Sequence, residues 1–468
     1  MSLTAALNSA MSGLRSNSRM TELISENIAN ALTPGYVRRE VVLSATGDIA
    51  PGVRIEGIRD LGDPAMVSFR REAEADLGHA EHQVRFLSRV ENRLGLPGSG
   101  NSLSDLMSQL EASLVAARGA PESDTRLSAV VAAASDVAQR LNVAYETIQK
   151  ERNLAERGIE SAVVELRDAL GEVHSLNYRI TESLSKSIDA SGLKLRRTAV
   201  VDRINELVPV REVQREFGKI ALFTHAGQGL LDGPPAELSF SSLPTLDESM
   251  TIQNGALANL LINGKEADSR QLGGDIGALF EIRDGYGPDF QAKLDALSHD
   301  LANLVVSAPP GSEAPAQLAH LFVAERSTDP AASLAGLART IKVNPAFVSE
   351  DGGSPALLRD GSSGGPSGDA TRLDAFLNNL TQGVGASGHS LFSRADALIS
   401  DIGSQRVRTE DAQTRHAARL DHAQRAEAQA GVDTDSELQH LLEVEKAYAA
   451  NARVIETINT LFDDLLRM

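Results

Sequence analysis

Between Asp124 and Ser187 the chain has no proline and only two glycines, and this run restricts the fold more tightly than any other feature. Proline removes a backbone donor and clashes with the preceding turn, so a run this long without one predicts a single helix approaching about 90 Å. A rod of that length is scaffolding against which other elements pack. Composition points the same way. Aromatic residues make up only 4% of the chain, there is no tryptophan, and the commonest apolar residues are Ala, Leu and Val, which suit long helices better than barrels. We therefore expect a mainly α, elongated molecule, with a length of 468 residues that allows roughly two to four domains.

Charge narrows the partners. With 64 acidic and 45 basic residues the net charge is -19, and no Lys/Arg run exceeds short clusters such as Lys194 to Arg197, so nucleic acid is not an expected partner. Cysteine is absent, which excludes disulfides, thiolate zinc sites and cysteine nucleophiles. No apolar run reaches the roughly 18 residues needed to cross a bilayer, so membrane insertion is not expected. The opening segment, MSLTAALNSAMSGLRSNSRM, has neither a basic leading region nor an unbroken apolar stretch. A cleaved secretory signal is therefore not expected, and a chain that leaves the cytoplasm would need another route.

The first thirty or so residues carry a heptad stripe: Leu3, Leu7, Ala10, Leu14, Asn17, Thr21, Ile24, Ile28 and Ala31 recur in steps of four and three. This helix should stop near Leu32, because Pro34 disfavours α geometry at Thr33 and Asn30 can adopt a left-handed terminal conformation. Pro34 and Gly35 suit the centre of a type II turn. Tyr36 to Leu43 and Val53 to Ile58 then read as short strands.

Helical patterning dominates from Pro64 to Leu207, with Met66, Phe69, Ala73, Ala80, Val84 and Leu87 on one face and Ser102 placed to cap the following helix. From Val208 to about Thr251 the pattern alternates as in β-hairpins. Helix returns over 273–306, Gly, Pro and Ser crowd 307–388, and helix resumes near Leu391. The last segment carries Leu441, Val444, Tyr448, Ile455, Ile458, Phe462 and Leu465 on one stripe, widened by Leu438, Ala452 and Leu466, with Asp435 or Ser436 as its cap. The expected organisation is a terminal coiled-coil domain of 1–35 with 432–468, short strands and linker over 36–63, a long helical domain of 64–207 with 273–306 and 389–431, a β-rich segment over 208–272, and a loop-rich insertion over 307–388. Apolar burial between the two end helices alone falls short of the entropy lost in ordering them, so the ends are expected to become ordered through assembly.

Two segments resemble a known family. NIANALTPGY, Asn27 to Tyr36, is similar to the amino-terminal signature of the bacterial flagellar axial proteins, the rod, hook and hook-associated proteins. GVDTDSELQHLLEVEKAYAANARVIETINTLFDDLL, Gly431 to Leu466, resembles their carboxy-terminal segment, and LVPVREVQREFGKIALFTHAGQGLLDG and GGDIGALFEIRDGYGPDFQAKLDALSHDLANLV resemble the hook-associated branch. The resemblance implies a structural adaptor between hook and filament; the alternatives are another flagellar axial protein, hook or rod, and a cytoplasmic coiled-coil scaffold that is not exported. In such an adaptor both end helices line a tubular assembly, and Leu3, Leu7, Leu14, Ile24, Ile28, Leu441, Val444, Tyr448, Ile455, Ile458, Phe462 and Leu465 form the assembly interface. Asn27, Asn30, Thr33, Pro34, Gly35 and Tyr36 would shape the turn out of the first helix. The implied partners are further copies of the chain, hook protein, a second junction protein and an export chaperone on the last helix. The implied location is the extracellular flagellum, reached from the cytoplasm by type III export. No cofactor or metal is implied.

Motifs that carry chemistry are weak. Gly361 to Gly365 match G-x-S-x-G around Ser363, but the flanks are Gly and Ser where a nucleophile elbow needs a strand and a helix. His79 and His82 are one helical turn apart without a third ligand at suitable spacing, and read as exposed helix residues. GGDIGAL lacks the preceding strand of a dinucleotide site and reads as the start of a helix. The acidic pairs Asp463 with Asp464 and Asp105 with Glu111 read as solvated faces.

Overall fold

A computed structural model describes residues 3–33, 36–46, 52–96, 98–186, 188–304, 316–324, 334–360, 367–382, 390–429 and 431–467. The chain begins with α1 (Leu3–Ala29), then an antiparallel hairpin of β1 (Arg39–Thr46) and β2 (Gly52–Asp60). Four helices follow: α2 (Pro64–Leu94), α3 (Leu103–Arg118), α4 (Asp124–Ser185) and α5 (Ser191–Leu207). α4 is one helix of 62 residues, about 93 Å at 1.5 Å per residue. Ser102 caps α3 through a reciprocal box in which Ser102 Oγ accepts from the Asp105 amide and the Asp105 side chain accepts from the Ser102 amide. Asp105 is thus a capping residue and not part of a solvated acidic face, because position N3 points back at the unpaired amides of the first turn.

β3 (Val210–Gln214), β4 (Ile220–Thr224) and β5 (Gly229–Leu231) form one antiparallel sheet, and β6 (Leu238–Ser239), β7 (Leu261–Ile262) and β8 (Lys265–Glu266) another. α6 (Gly274–Glu281) continues through one π turn at Ile282–Tyr286 into α7 (Gly287–Ala302). Then come β9 (Phe322–Val323), α8 (Leu337–Thr340), β10 (Lys342–Val343), α9 (Leu357–Asp360), α10 (Thr371–Thr381), α11 (Leu391–Gln429) and α12 (Thr434–Arg467). Gly361 to Gly365, Pro34 and Gly35 lie outside the described residues.

Two apolar cores share α4. The first packs Phe86 to Leu94 of α2, α3, Leu127 to Ala155 of α4, α7, α10 and the start of α11; the second packs Ile159 to Val173 of α4 against α5, the strands and α6. A buried polar layer lies between them. Arg283 donates to Glu156 at 2.6 Å and to the Ala258 carbonyl at 3.0 Å, while Arg152 donates to Gln291 Oε1 at 2.9 Å and the Met250 carbonyl at 2.7 Å. The π turn explains how Arg283 and Arg152 fit side by side. At Gly287 an added Cβ would lie 2.6 Å from Arg152 Cγ, so the helix can pass this close to Arg152 only without a side chain there.

His79 and His82 are half-buried bridges from α2 to α6 and not exposed helix residues. His79 meets the Gly274 carbonyl at 3.1 Å and Glu281 at 3.0 Å, and His82 meets Asp275 at 3.3 Å. Burial opposes the charge on His79, but the Glu281 carboxylate outweighs it and raises the imidazole above its ordinary 6.5. Burial likewise opposes the charge on Glu281, and the bond from His79 outweighs it to hold the carboxyl below its ordinary 4.5. A raised histidine stabilises the fold fully below its unfolded value and ceases to do so as pH rises through its folded value; the depressed carboxylate contributes above its unfolded value. The pair is therefore strongest between pH 4.5 and 6.5. His79→Ala should cost about 1 kcal/mol or less near pH 6, since the partly exposed Glu281 is screened by solvent, and the difference from wild type should shrink by pH 9 in urea unfolding.

Candidate assembly site at the paired chain ends

α1 and α12 lie side by side and antiparallel: Asn27 of α1 meets Glu437 near the start of α12, and Gly13 meets Asn451 further along. α1 also packs on the β1–β2 hairpin, where Ser12 Oγ accepts from the Val53 amide at 3.1 Å.

Asn27 is the hub of the end near the body. Its Nδ2 donates to the Arg39 carbonyl at 2.9 Å and to Glu437 at 3.1 Å, and its Oδ1 accepts from the Tyr36 hydroxyl at 2.9 Å and the Arg39 amide at 3.2 Å. The amide side chain both accepts from and donates to the Arg39 backbone, which pins the start of β1 onto α1. Glu437 is fully buried, and its second oxygen accepts from Arg38 Nε at 2.6 Å. Arg39 stacks over Tyr36, donates to its hydroxyl at 2.8 Å and reaches Glu26 at 3.0 Å.

The expected turn residues divide here. Asn27 and Tyr36 meet directly, whereas Asn30 and Thr33 bond locally: Asn30 Nδ2 donates to the Glu26 carbonyl at 2.9 Å, and Thr33 Oγ1 donates to Asn30 Oδ1 at 3.3 Å. Asn30 does not take the left-handed conformation; its backbone amide and its side chain both donate to the Glu26 carbonyl, continuing the helical pattern. The cap of α12 is Asp433 and neither Asp435 nor Ser436. Asp433 Oδ1 accepts from the amides of Asp435 at 3.0 Å and Ser436 at 3.4 Å, because the helix begins at Thr434. Sequence reasoning overlooked Glu437, Arg38, Arg39 and Leu32; Leu32 is 97% exposed in the turn after α1.

Along the stripes, Ile24, Val444 and Ile458 are buried, and Leu3, Leu7, Leu14, Ile28, Leu441 and Ile455 are half-buried. Tyr448 and Phe462 are exposed instead of seated in the seam, since a two-helix contact covers only a narrow strip of α12. The Leu465 side chain lies outside the description. Together with Leu438, Leu442, Val454 and Leu461, these two leave α12 with large apolar side chains in solvent along most of its length. Among the described residues no group of three or more metal-ligating side chains forms, and no helix is long and apolar enough to cross a membrane.

Comparisons with known proteins agree with this geometry. Residues 7–36 match the family described as flagella basal body rod protein, residues 423–468 the flagellar basal body rod FlgEFG protein C-terminal family, and residues 87–306 the flagellar hook-associated protein FlgK helical domain. Flagellar hook-associated protein 1 of Bacillus subtilis is 21% identical over 98% of this chain and 96% of its own length. The Escherichia coli protein of the same name is 22% identical over 58% of this chain and 52% of its own. The hook junction protein FlgK of Burkholderia pseudomallei superposes with a TM-score of 0.46 over 55% of this chain and 47% of that one, at 17% identity. With rod-type matches at both ends and paired end helices between them, the fold is that of a flagellar axial protein. The helical-domain match fixes the branch. The chain is thus similar to flagellar hook-associated protein 1, and the matches support a structural role at the flagellar junction.

Proposed function

We propose that this protein joins hook to filament by polymerising through α1 and α12 into a tubular layer, with hook protein and a second junction protein as its neighbours and no catalytic centre of its own. The observation that carries this reading is the set of large apolar side chains of α12 that stay exposed on and beside the strip packed on α1. Exposed apolar surface of that extent is what an assembly contact requires. Leu32 adds an apolar contact where the chain leaves α1. Residues 1–35 with 432–468 form the inner domain, and the two cores sharing α4, with the strands of 208–272 on the second, lie outside it. Before assembly the chain is exported unfolded from the cytoplasm through the flagellar type III apparatus, and a chaperone covers the open face of α12 until then.

Deleting the gene and examining cells and medium is the direct test: hooks without filaments, with flagellin shed into the medium, are expected, and filaments of normal length would refute the junction role. In the purified chain, brief protease treatment should remove roughly the first 30 to 60 and last 30 residues while the two cores survive. Ends that resist digestion in the isolated chain would contradict ordering through assembly.

A further inference from the structure

We infer that Asn451, seated on Gly13, and Glu437, held by Asn27, are positioning residues that fix the stagger of α1 against α12. The two contacts lie fourteen residues apart on each helix, Gly13 to Asn27 and Glu437 to Asn451, so one ungapped antiparallel register satisfies both. They are separated by about 21 Å along the pair. At Gly13 an ideal Cβ would stand 2.6 Å from Asn451 Nδ2, so the amide occupies space that any other residue at position 13 would fill. At the other end the buried Glu437 carboxylate is matched to Asn27 and Arg38.

Heptad phase alone does not choose this stagger. Heptad spacing repeats every seven residues, so sliding one helix by a heptad keeps the same helix faces in contact. The polar contacts break that degeneracy. A slide in one direction puts Glu437 opposite Met20 and Asn451 opposite Ala6; a slide in the other puts Asn451 opposite Met20 and carries Glu437 past the end of α1. The first slide strands a buried carboxylate against a thioether, and both strand the Asn451 amide against an apolar side chain. A polar residue at a seam position is a known means of setting helix register. This inference concerns the pair within one chain and holds whether or not the chain polymerises.

The chain has no cysteine, so introduced pairs report without background. In the full-length purified protein, Ala6→Cys with Ile458→Cys tests the observed register; Ala6→Cys with Leu465→Cys and Ala10→Cys with Ala447→Cys test the two slides. Oxidation and gel mobility measure each yield. The ratio of yields reports which register is sampled even if the ends are paired only part of the time. With the native polar residues, the observed-register pair should form at least about tenfold more disulfide than either slid pair, as stranding one buried polar group implies. With Asn451→Leu and Glu437→Leu added, the ratios should fall toward one. Unchanged ratios overturn the inference, because the apolar stripe would then set the register. Loss of all three disulfides also overturns it, since these residues would then be needed for pairing itself. A low ratio in the native background overturns it outright.

Discussion

Ile458→Asp is expected to abolish filament attachment while leaving both cores folded. Ile458 is 4% exposed on the α1-facing side of α12, so an aspartate there brings an unpaired carboxylate into an apolar contact. The pairing of the end helices should weaken by about 3 kcal/mol or more, which is large against any contact made by two helices. Circular dichroism melting should show the two cores unchanged, and electron microscopy should show hooks without filaments. Tyr448→Asp gives the complementary case. Tyr448 is 47% exposed, so its replacement should leave the α1–α12 pair intact and still prevent incorporation if the open face of α12 meets a neighbouring copy. Normal filaments from both variants would remove α12 from the assembly contact altogether.

The second large effect is expected far from the ends. Arg283→Leu leaves Glu156 buried without its cation, and should lower the unfolding free energy of the body by about 3–5 kcal/mol. The Arg283 side chain is fully enclosed, meets Asp284 at 2.8 Å as well as Glu156, and lies over the Phe280 ring at 4.8 Å. Replacing both partners, Arg283→Leu with Glu156→Leu, removes the stranded charge and should recover most of the loss. What remains would measure the other bonds that the pair makes, from Arg283 to Asp284 and to the Ala258 carbonyl and from the Leu243 amide to Glu156. Urea unfolding of the two single variants and the double variant closes the cycle. If the double variant proves as unstable as the single one, the layer stabilises through those other bonds and not through the Arg283–Glu156 pair.

Local signals in the sequence were legible and long-range polar ones were not. The absence of proline from Asp124 to Ser187 dictated α4 almost to the residue, and Ser102 announced its capping box, because both effects operate within a few residues. The Asn27–Glu437 bond joins positions 410 apart, and in sequence Glu437 looks like any acid in the first turn of a helix. The same distance in sequence hid the role of His79, whose partner Glu281 is 202 residues away. Asp433 was missed as a cap for the opposite reason. DTDSE offers several side chains able to cap, and only the geometry of the preceding break selects one. The π turn at Ile282–Tyr286 inserts a single residue into a helical pattern, too small a shift for periodicity to register, yet it brings Arg283 beside Arg152. On α12 the stripe was read as one seam, although a single partner helix could cover only part of it.

α4 runs unbroken through both apolar cores. Neither core can rotate about that axis relative to the other without twisting a continuous ladder of backbone hydrogen bonds, because no flexible joint interrupts the helix between them. A twist of one core relative to the other is therefore carried along one continuous helix and is not taken up at a joint.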